Sequence, residues 1–219
     1  MSSVKIAELS QRSGVSVPTL KYYLRLGLMS PGQSTAKNQA DYGEAHVKRI
    51  RLIRSLTEFG RLSIADVTLV LAAVDNESVA LHDAFGAVQD AMVPRQQRDT
   101  PEYEQAAIVV EAFVRRHRLK LRADAAIRFM LADAIVVIGT EFSSMTMAEI
   151  ARQFFDPMVP ALRQQSEFEI ASVPMDGGRA STVEYTVVGT VGFELAANAI
   201  RRMALEHYSA KRFGKVTNA

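Results

Sequence analysis

Residues 6–28 read IAELSQRSGVSVPTLKYYLRLGL and hold two short helical patterns separated by a turn. In the first pattern apolar residues recur on one helical face, and Gly14 ends it because glycine tolerates the left-handed backbone found after helices. Ser16 can cap the second helix, and Pro18 fits its first turn, where no intrahelical N–H is lost. Two helices joined by a turn at residues 13–15 predict a helix-turn-helix.

Basic residues are concentrated in this part of the chain. Residues 1–61 carry ten Lys or Arg and four Asp or Glu, a net charge of +6, whereas the remainder carries 16 and 20, a net charge of −4. A small basic unit joined to a larger acidic one is typical of a DNA-binding domain with a separate partner or ligand domain. In a helix-turn-helix the N-terminal residues of the second helix lie nearest the base edges. The candidate DNA contacts are Ser16, Thr19, Lys21, Tyr22 and Tyr23. Since adjacent helical positions cannot both face the DNA, one of the two tyrosines is expected in the core.

The remaining pattern is helical, and the sequence shows no strict alternation or fixed repeat, which excludes a sheet-based or solenoid domain. Turn-forming residues 31–39 predict a loop or short hairpin, and polar residues 94–101 predict the main linker. A long irregular segment is expected over residues 166–180. Further helices are expected at about 44–59, 63–74, 76–92, 102–119, 123–142, 146–165 and 182–209.

These patterns predict an all-α fold with a loop or short hairpin at residues 31–39. Residues 1–75 are expected to form the helix-turn-helix DNA-binding domain. Residues 76–93 are expected to form a connecting or dimerisation helix, because their apolar residues have near-heptad spacing. Residues 101–219 are expected to form an all-helical effector-binding or oligomerisation domain. The first choice for a dimer interface is residues 76–92, and the second is residues 183–208.

Composition excludes several classes of protein. The 219 residues are 48% hydrophobic and 23% charged, which is typical of a globular protein. Cysteine is absent and the four histidines are scattered, so we expect no disulfide, no metal site and no cofactor. A phosphate loop, a nucleophile elbow and a His–carboxylate pattern are also missing, so we expect no enzyme. The start lacks a secretory signal and the apolar runs are too short for a membrane, which predicts a cytoplasmic protein without membrane contact.

Residues 6–28 resemble the N-terminal signature of the MerR family, the mercury-resistance-type transcriptional regulators. The stretches YGEAHVKRIRLI at 42–53 and LTEFG at 56–60 resemble its next two elements, so the resemblance covers about residues 4–74. It implies a winged helix-turn-helix that binds a pseudo-palindromic operator as a homodimer. It also implies that bound promoter DNA is kinked and untwisted so that RNA polymerase can engage it, a form of indirect readout.

The resemblance makes residues 31–41 the wing. The family's wing usually has a Gly-Tyr-Arg run before the tyrosine, whereas this chain has Asn-Gln-Ala at 38–40, so a wing arginine is missing. The acid that usually follows the double tyrosine is Leu24 here. Lys37 or Asn38 is therefore expected to replace the missing contact. The further candidates for DNA contact are Lys37, Asn38, Gln39, Tyr42 and Arg49.

The C-terminal half has no comparable signature. Longer members of the family sense small molecules there, and the family's metal sensors use cysteines, so the resemblance implies a largely apolar or cationic organic effector. A carboxylate among apolar neighbours can complement a cation, which makes Asp133 and Glu194 candidates, although internal pairing would equally explain each. An aromatic and methionine stripe can line a pocket or be plain core. The candidate ligand contacts are Asp133, Glu194, Phe129 and Phe154, with Phe155, Met158 and Phe168 as further lining residues.

The leading interpretation is a ligand-responsive transcriptional regulator. An alternative is a small-molecule sequestering protein whose DNA-binding head is vestigial, which the intact basic segment disfavours. A third alternative is an enzyme of the C-terminal domain, which would need a catalytic pair that the sequence does not offer.

Overall fold

The computed structural model describes residues 3–36, 39–142, 144–174 and 178–214. These residues are mainly helical and include one two-stranded sheet, which confirms the expected fold class. The chain divides into two compact units. One holds the residues up to Ser63 together with those from Glu184 onward, and the other holds Ile64–Val183. The domain ranges expected from the sequence stay predictions.

The first two helices form the expected helix-turn-helix. Helix α1 spans Ile6–Ser13 and ends at Gly14, whose φ of +67° lies in the left-handed region that favours glycine. Helix α2 spans Val17–Arg25, and Ser16 caps it by accepting the backbone N–H of Thr19 at 3.3 Å. The expected turn and cap therefore form as the sequence predicts.

The wing is a two-stranded antiparallel sheet of β1 (Gln33–Ala36) and β2 (Gln39–Asp41). Its base is tied to the start of the chain, because Val4 and Tyr42 exchange two backbone hydrogen bonds of 2.8 Å each. The Lys5 ammonium also pairs with the Asp41 carboxylate at 2.6 Å. This pairing fixes the base of the wing beside α1.

Helix α3 spans Glu44–Arg54 and continues into a π-helical turn at Ser55–Phe59, so the expected helix over 44–59 changes its hydrogen-bond pattern near its end. Arg54 joins α3 to the helix-turn-helix, since its Nη1 donates to the carbonyl of Ser13 at 3.0 Å. Apolar side chains at helical spacing along α3 and the π-helical turn are buried, and they are Val47, Ile50, Ile53 and Leu56.

The second unit consists of packed helices with short connections. Asn76 accepts hydrogen bonds from both the backbone and the hydroxyl of Ser78, so a turn replaces the first residues of the helix expected at 76–92. The helix expected at 146–165 is interrupted by a π turn at Ala151–Phe155 and a 3₁₀ turn at Asp156–Met158, in which Pro157 cannot donate a backbone hydrogen bond. The α-helices are α4 (Ile64–Asp75), α5 (Leu81–Ala91), α6 (Pro101–Arg116), α7 (Ile127–Glu141), α8 (Met147–Ile150) and α9 (Val159–Ala171).

The core of this unit lies between α6 and α7, where Ala106 and Val110 pack against Ala132 and Ile135. Helix α6 begins at a Thr100 cap that accepts the N–H of Tyr103 at 3.3 Å. Small and branched side chains at the contact let the two helices approach closely.

Helix α10 spans Gly178–Phe213 and is the longest element. Because α9 continues to Ala171 and α10 begins at Gly178, the irregular segment is shorter than the expected range of residues 166–180. Residues 175–177 lie outside the described residues. The described helices include none that combines the length and the apolar character needed to cross a membrane.

Candidate DNA-binding surface and ligand cavity

The start of α2 presents polar side chains to solvent. The hydroxyls of Ser16 and Thr19 are 2.8 Å apart, so the capping interaction fixes both at the first turn. Lys21 lies two residues after Thr19 and is exposed, and it has no ion-pair partner within the described part of the chain. The ammonium of Lys21 is therefore available for a phosphate or a guanine edge.

The two adjacent tyrosines of α2 separate as the sequence analysis expects. Tyr22 is 39% exposed, and the Arg25 guanidinium lies 5.9 Å from the centre of its ring. Tyr23 is only 7% exposed, and burial raises the pKa of its hydroxyl, with the nearby Glu58 carboxylate adding to this effect. Tyr23 is therefore the tyrosine that lies in the core, and its role as a DNA contact stays a prediction.

A groove of about 520 Å³ lies between α2 and the wing. Lys21 and Leu24 of α2 form one wall, and Ser34 and Gln39 of the two wing strands contribute to the other. Lys5 also lines it, a residue that the sequence analysis did not select, because a single lysine before a helix carries no pattern. Two ammonium groups and two wing side chains therefore meet on one surface.

Two of the candidates have mainly structural roles. Tyr42 is 5% exposed and packs edge-on against the ring of His46, which leaves only a small part of it at the groove. The Nε of Arg49 donates to the carbonyl of Leu28 at 2.8 Å, so this half-buried side chain anchors the segment after α2. Both side chains therefore support the surface, and their roles as DNA contacts stay predictions. Lys37 and Asn38 lie outside the described residues, and Gln39 is exposed in β2.

The structure gives Asp133 a partner from its own chain. Arg98, in the segment expected to be a linker, forms two hydrogen bonds with this carboxylate, at 2.7 and 3.0 Å. The same guanidinium lies 5.3 Å from the centre of the Phe129 ring. Burial of Asp133 acts to raise its pKa, but hydrogen bonds from Arg98 and Gln96 outweigh it and lower the pKa. Arg98 thus occupies the place that the sequence analysis assigned to a cationic ligand.

The other ligand candidates are not gathered at one site. Phe154 is partly exposed and contacts the ring of Phe142, with the ring centres 5.4 Å apart. Glu194 is exposed on α10, and Phe168 is 70% exposed on α9. The roles of Asp133, Glu194, Phe129 and Phe154 as ligand contacts stay predictions.

A larger cavity, of about 620 Å³, lies within the second unit. Its walls are apolar side chains of α6, α7, the 151–158 turns and α9. Of the lining residues suggested by the sequence, Phe155 and Met158 are present. In the described residues no group of three or more His, Cys, Asp or Glu side chains could hold a metal ion.

Residues 4–74 match the family model described as the MerR HTH family regulatory protein. The mercuric resistance operon regulatory protein of Bacillus cereus is 30% identical over 81 residues, which are 37% of this chain and 61% of that protein. The HTH-type transcriptional regulator HmrR of Sinorhizobium medicae is 35% identical over 80 residues, 36% of this chain and 54% of the relative. The chain thus spans just over half the length of these curated relatives, which are regulators rather than enzymes.

One solved structure is similar over nearly the whole chain. SCO5550 of Streptomyces coelicolor A3(2), itself proposed to be a transcriptional regulator, superposes with a TM-score of 0.71 at 28% identity, covering 98% of this chain and 100% of that one. The helix-turn-helix, the wing and the family match all fall in the same N-terminal residues. Residues 4–74 are thus similar to the DNA-binding domain of the MerR family of transcriptional regulators.

Proposed function

We propose that this protein is a ligand-responsive transcriptional regulator that binds operator DNA as a homodimer and distorts the promoter for RNA polymerase. The observation that carries the proposal is the groove where Lys21 of α2 faces the wing. A helix that inserts into the major groove while a wing contacts the neighbouring backbone needs its cations on one surface.

Exposed cations of α2 and α3 support binding to phosphates. Lys21 of α2 and Lys48 and Arg51 of α3 are exposed, and none of the three forms an ion pair with the described residues. Each cation that neutralises a phosphate releases a counterion, so binding would weaken steeply as salt rises. These contacts would also offset the energy needed to bend the promoter.

Helix α10 supports the dimer. Phe193 and Ile200 are seven residues apart, as are Ala196 and Met203, which is the spacing of a coiled-coil seam. Ile200 is 65% exposed, so this apolar seam faces solvent in the single chain. A second copy is the partner that suits it, since identical seams on helices roughly 50 Å long can pair about a two-fold axis.

The segment that the sequence analysis placed first for dimerisation has another partner. Helix α5 packs on α4 and buries Ala84 and Val88 there. We therefore place the dimer interface on α10, the second choice of the sequence analysis, rather than on residues 76–92.

Replacing an apolar side chain of the seam by a carboxylate would test this placement. We expect Ile200→Glu to weaken dimerisation by roughly 100-fold, because two unpaired carboxylates would enter the interface. Leu205→Glu is the matched control, since Leu205 is 53% exposed on the opposite side of α10. Sedimentation equilibrium should give a monomer only for Ile200→Glu; dimers from both variants would reject the seam.

The effector is proposed to be a small organic molecule rather than a metal ion. The curated relatives include a mercuric resistance regulator and a heavy metal-dependent regulator, but this chain has no cysteine. Soft metals such as mercury are held by thiolates, so the metal chemistry of those proteins does not carry over to this chain. A cytoplasmic location follows from the proposal.

Selection of bound fragments from genomic DNA, followed by sequencing, would test the regulator directly. We expect enrichment of an inverted repeat within the spacer between the two promoter elements. Binding of the organic effector without enrichment of any DNA sequence would favour the sequestering alternative and contradict the proposal.

A further inference from the structure

We propose that the 620 Å³ cavity of the second unit binds one drug-sized, mostly apolar organic molecule with a hydrogen-bonding group at one end. The interpretation of this cavity as the effector site rests on the proposed regulatory function, whereas the binding of an organic molecule there does not depend on that function. None of the four ligand contacts chosen from the sequence lines this cavity.

The walls have the composition of a small-molecule site. The volume lies within the range of about 300–1,000 Å³ that is typical of ligand pockets. Aromatic rings and aliphatic chains form the walls, an arrangement that binds ligands by removing apolar surface from water. The main wall residues are Phe113 of α6, Leu131 and Ala134 of α7, Phe155 and Met158 of the turns, and Leu162 of α9.

Three polar side chains of α9 also line the cavity. Ser166 and Glu167 lie three and four residues after Arg163, so α9 presents them on the same face as Arg163. Neither Arg163 nor Glu167 has an ion-pair or hydrogen-bond partner among the residues that the structure describes. These groups can therefore donate to or accept from a carbonyl, hydroxyl or amine of the ligand.

Helix α9 buries little of its own surface against the rest of the unit, so a ligand in the cavity could cover its exposed apolar side chains. Of this helix only Val159, at its first turn, is buried. Met158 and Leu162 remain 45% and 47% exposed although they point into an apolar cavity. A bound molecule would cover both side chains and hold α9 against α7, with each buried square ångström contributing about 25 cal/mol.

A small molecule fits this cavity better than a second chain does. In the proposed dimer the second copy already packs against the apolar seam of α10. Charged side chains of α9 also line the cavity, whereas a helix from another chain needs an apolar groove along its whole length. Association of chains through this cavity is therefore an outcome that the test must exclude.

Titration of the full-length protein with Nile red, a neutral apolar dye whose fluorescence rises on leaving water, would test the site. We expect saturable binding of one dye per chain. Ala134→Phe fills the cavity and should weaken binding by roughly ten-fold or more. Val137→Phe is the matched control, because Val137 is 67% exposed on the same helix and does not line the cavity.

A second matched pair protects the test against misfolding. Leu162→Gln and Ile170→Gln both remove an exposed apolar side chain of α9, but only Leu162 lines the cavity. We expect a loss of about five-fold in dye affinity for the first variant and no change for the second. The proposal would be overturned if the dye showed no saturable binding or if all four variants bound it equally. It would also be overturned if dye binding were lost when the chains associate, as followed by sedimentation.

Failure of this proposal can be told apart from failure of the proposed function. Lys21→Ala should weaken DNA binding and leave Nile red binding unchanged. Ala134→Phe should lose the dye and keep ligand-free DNA binding. If the wild-type protein bound the dye but no DNA, the proposal of a ligand cavity would stand and the proposed regulatory function would be rejected.

Discussion

Three exposed cations of the N-terminal residues and four arginines of the 64–183 unit differ in what they contact. Lys21, Lys48 and Arg51 face solvent, and among the described residues they have no ion-pair partner. In the second unit, arginines pair with carboxylates that are distant in sequence. These pairs are Arg98–Asp133, Arg116–Asp156, Arg122–Asp90 and Arg128–Glu111. The same type of charge thus faces solvent in one region and supports packing in the other.

This difference has a physical consequence. A cation without a protein partner loses no interaction when it meets a phosphate, so binding DNA only has to displace water and counterions. A half-buried cation would have to leave its carboxylate, and the unpaired charge left behind would be costly. Removing a cation should therefore affect DNA affinity in the first region and folding stability in the second.

The largest expected effect is on the pair of Arg98 with Asp133. Its side chains are 15% and 18% exposed, so Arg98→Ala would leave a carboxylate largely out of water without its partner. We expect the free energy of unfolding to fall by about 2–3 kcal/mol, measured by urea denaturation.

Arg95→Ala is the matched control for that variant. Arg95 is three residues away and pairs with Asp66, but its side chain is 79% exposed, so its loss should cost about 0–1 kcal/mol. Equal losses of unfolding free energy for Arg95→Ala and Arg98→Ala would contradict the distinction between a largely buried ion pair and an exposed one.

A smaller effect is expected in the pH dependence of stability. The folded pKa of Asp133 is lowered, because hydrogen bonds from Arg98 and Gln96 outweigh the effect of burial. The folded state therefore gains stability from this group above the unfolded pKa of about 4, and loses it as pH falls through the lower folded pKa. Asp133→Asn should flatten the fall of the urea midpoint below pH 4; an unchanged slope would contradict the pairing in solution.

The sequence was most informative where local chemistry determines structure. Gly14 at a left-handed turn and Ser16 as a cap are features of a few neighbouring residues, and the structure has both. The apolar residues of α3 recur at helical spacing, and the structure buries them. Which of two adjacent tyrosines is buried was left open, because that depends on the direction in which α2 packs; the structure buries Tyr23.

The cavity and the charge pairs could not be predicted in the same way. Arg98 and Asp133 are 35 residues apart, and a polar segment with two prolines gives no sign that it folds back onto α7. Phe155 and Met158 were suggested as lining residues, but the same stripe fitted a plain core. The sequence could not reveal that π and 3₁₀ turns at residues 151–158 would leave a space beside α7.

The most direct test of the account is the salt dependence of operator binding for Lys21→Ala compared with Lys120→Ala. Both variants remove one exposed lysine, but only Lys21 lines the groove between α2 and the wing. On the inverted repeat selected from genomic DNA, we expect Lys21→Ala to weaken binding by roughly ten-fold or more, with the log–log salt slope reduced by about one. Lys120→Ala should bind like the wild type, and equal affinities and slopes for the two variants would contradict the assignment of this surface to DNA.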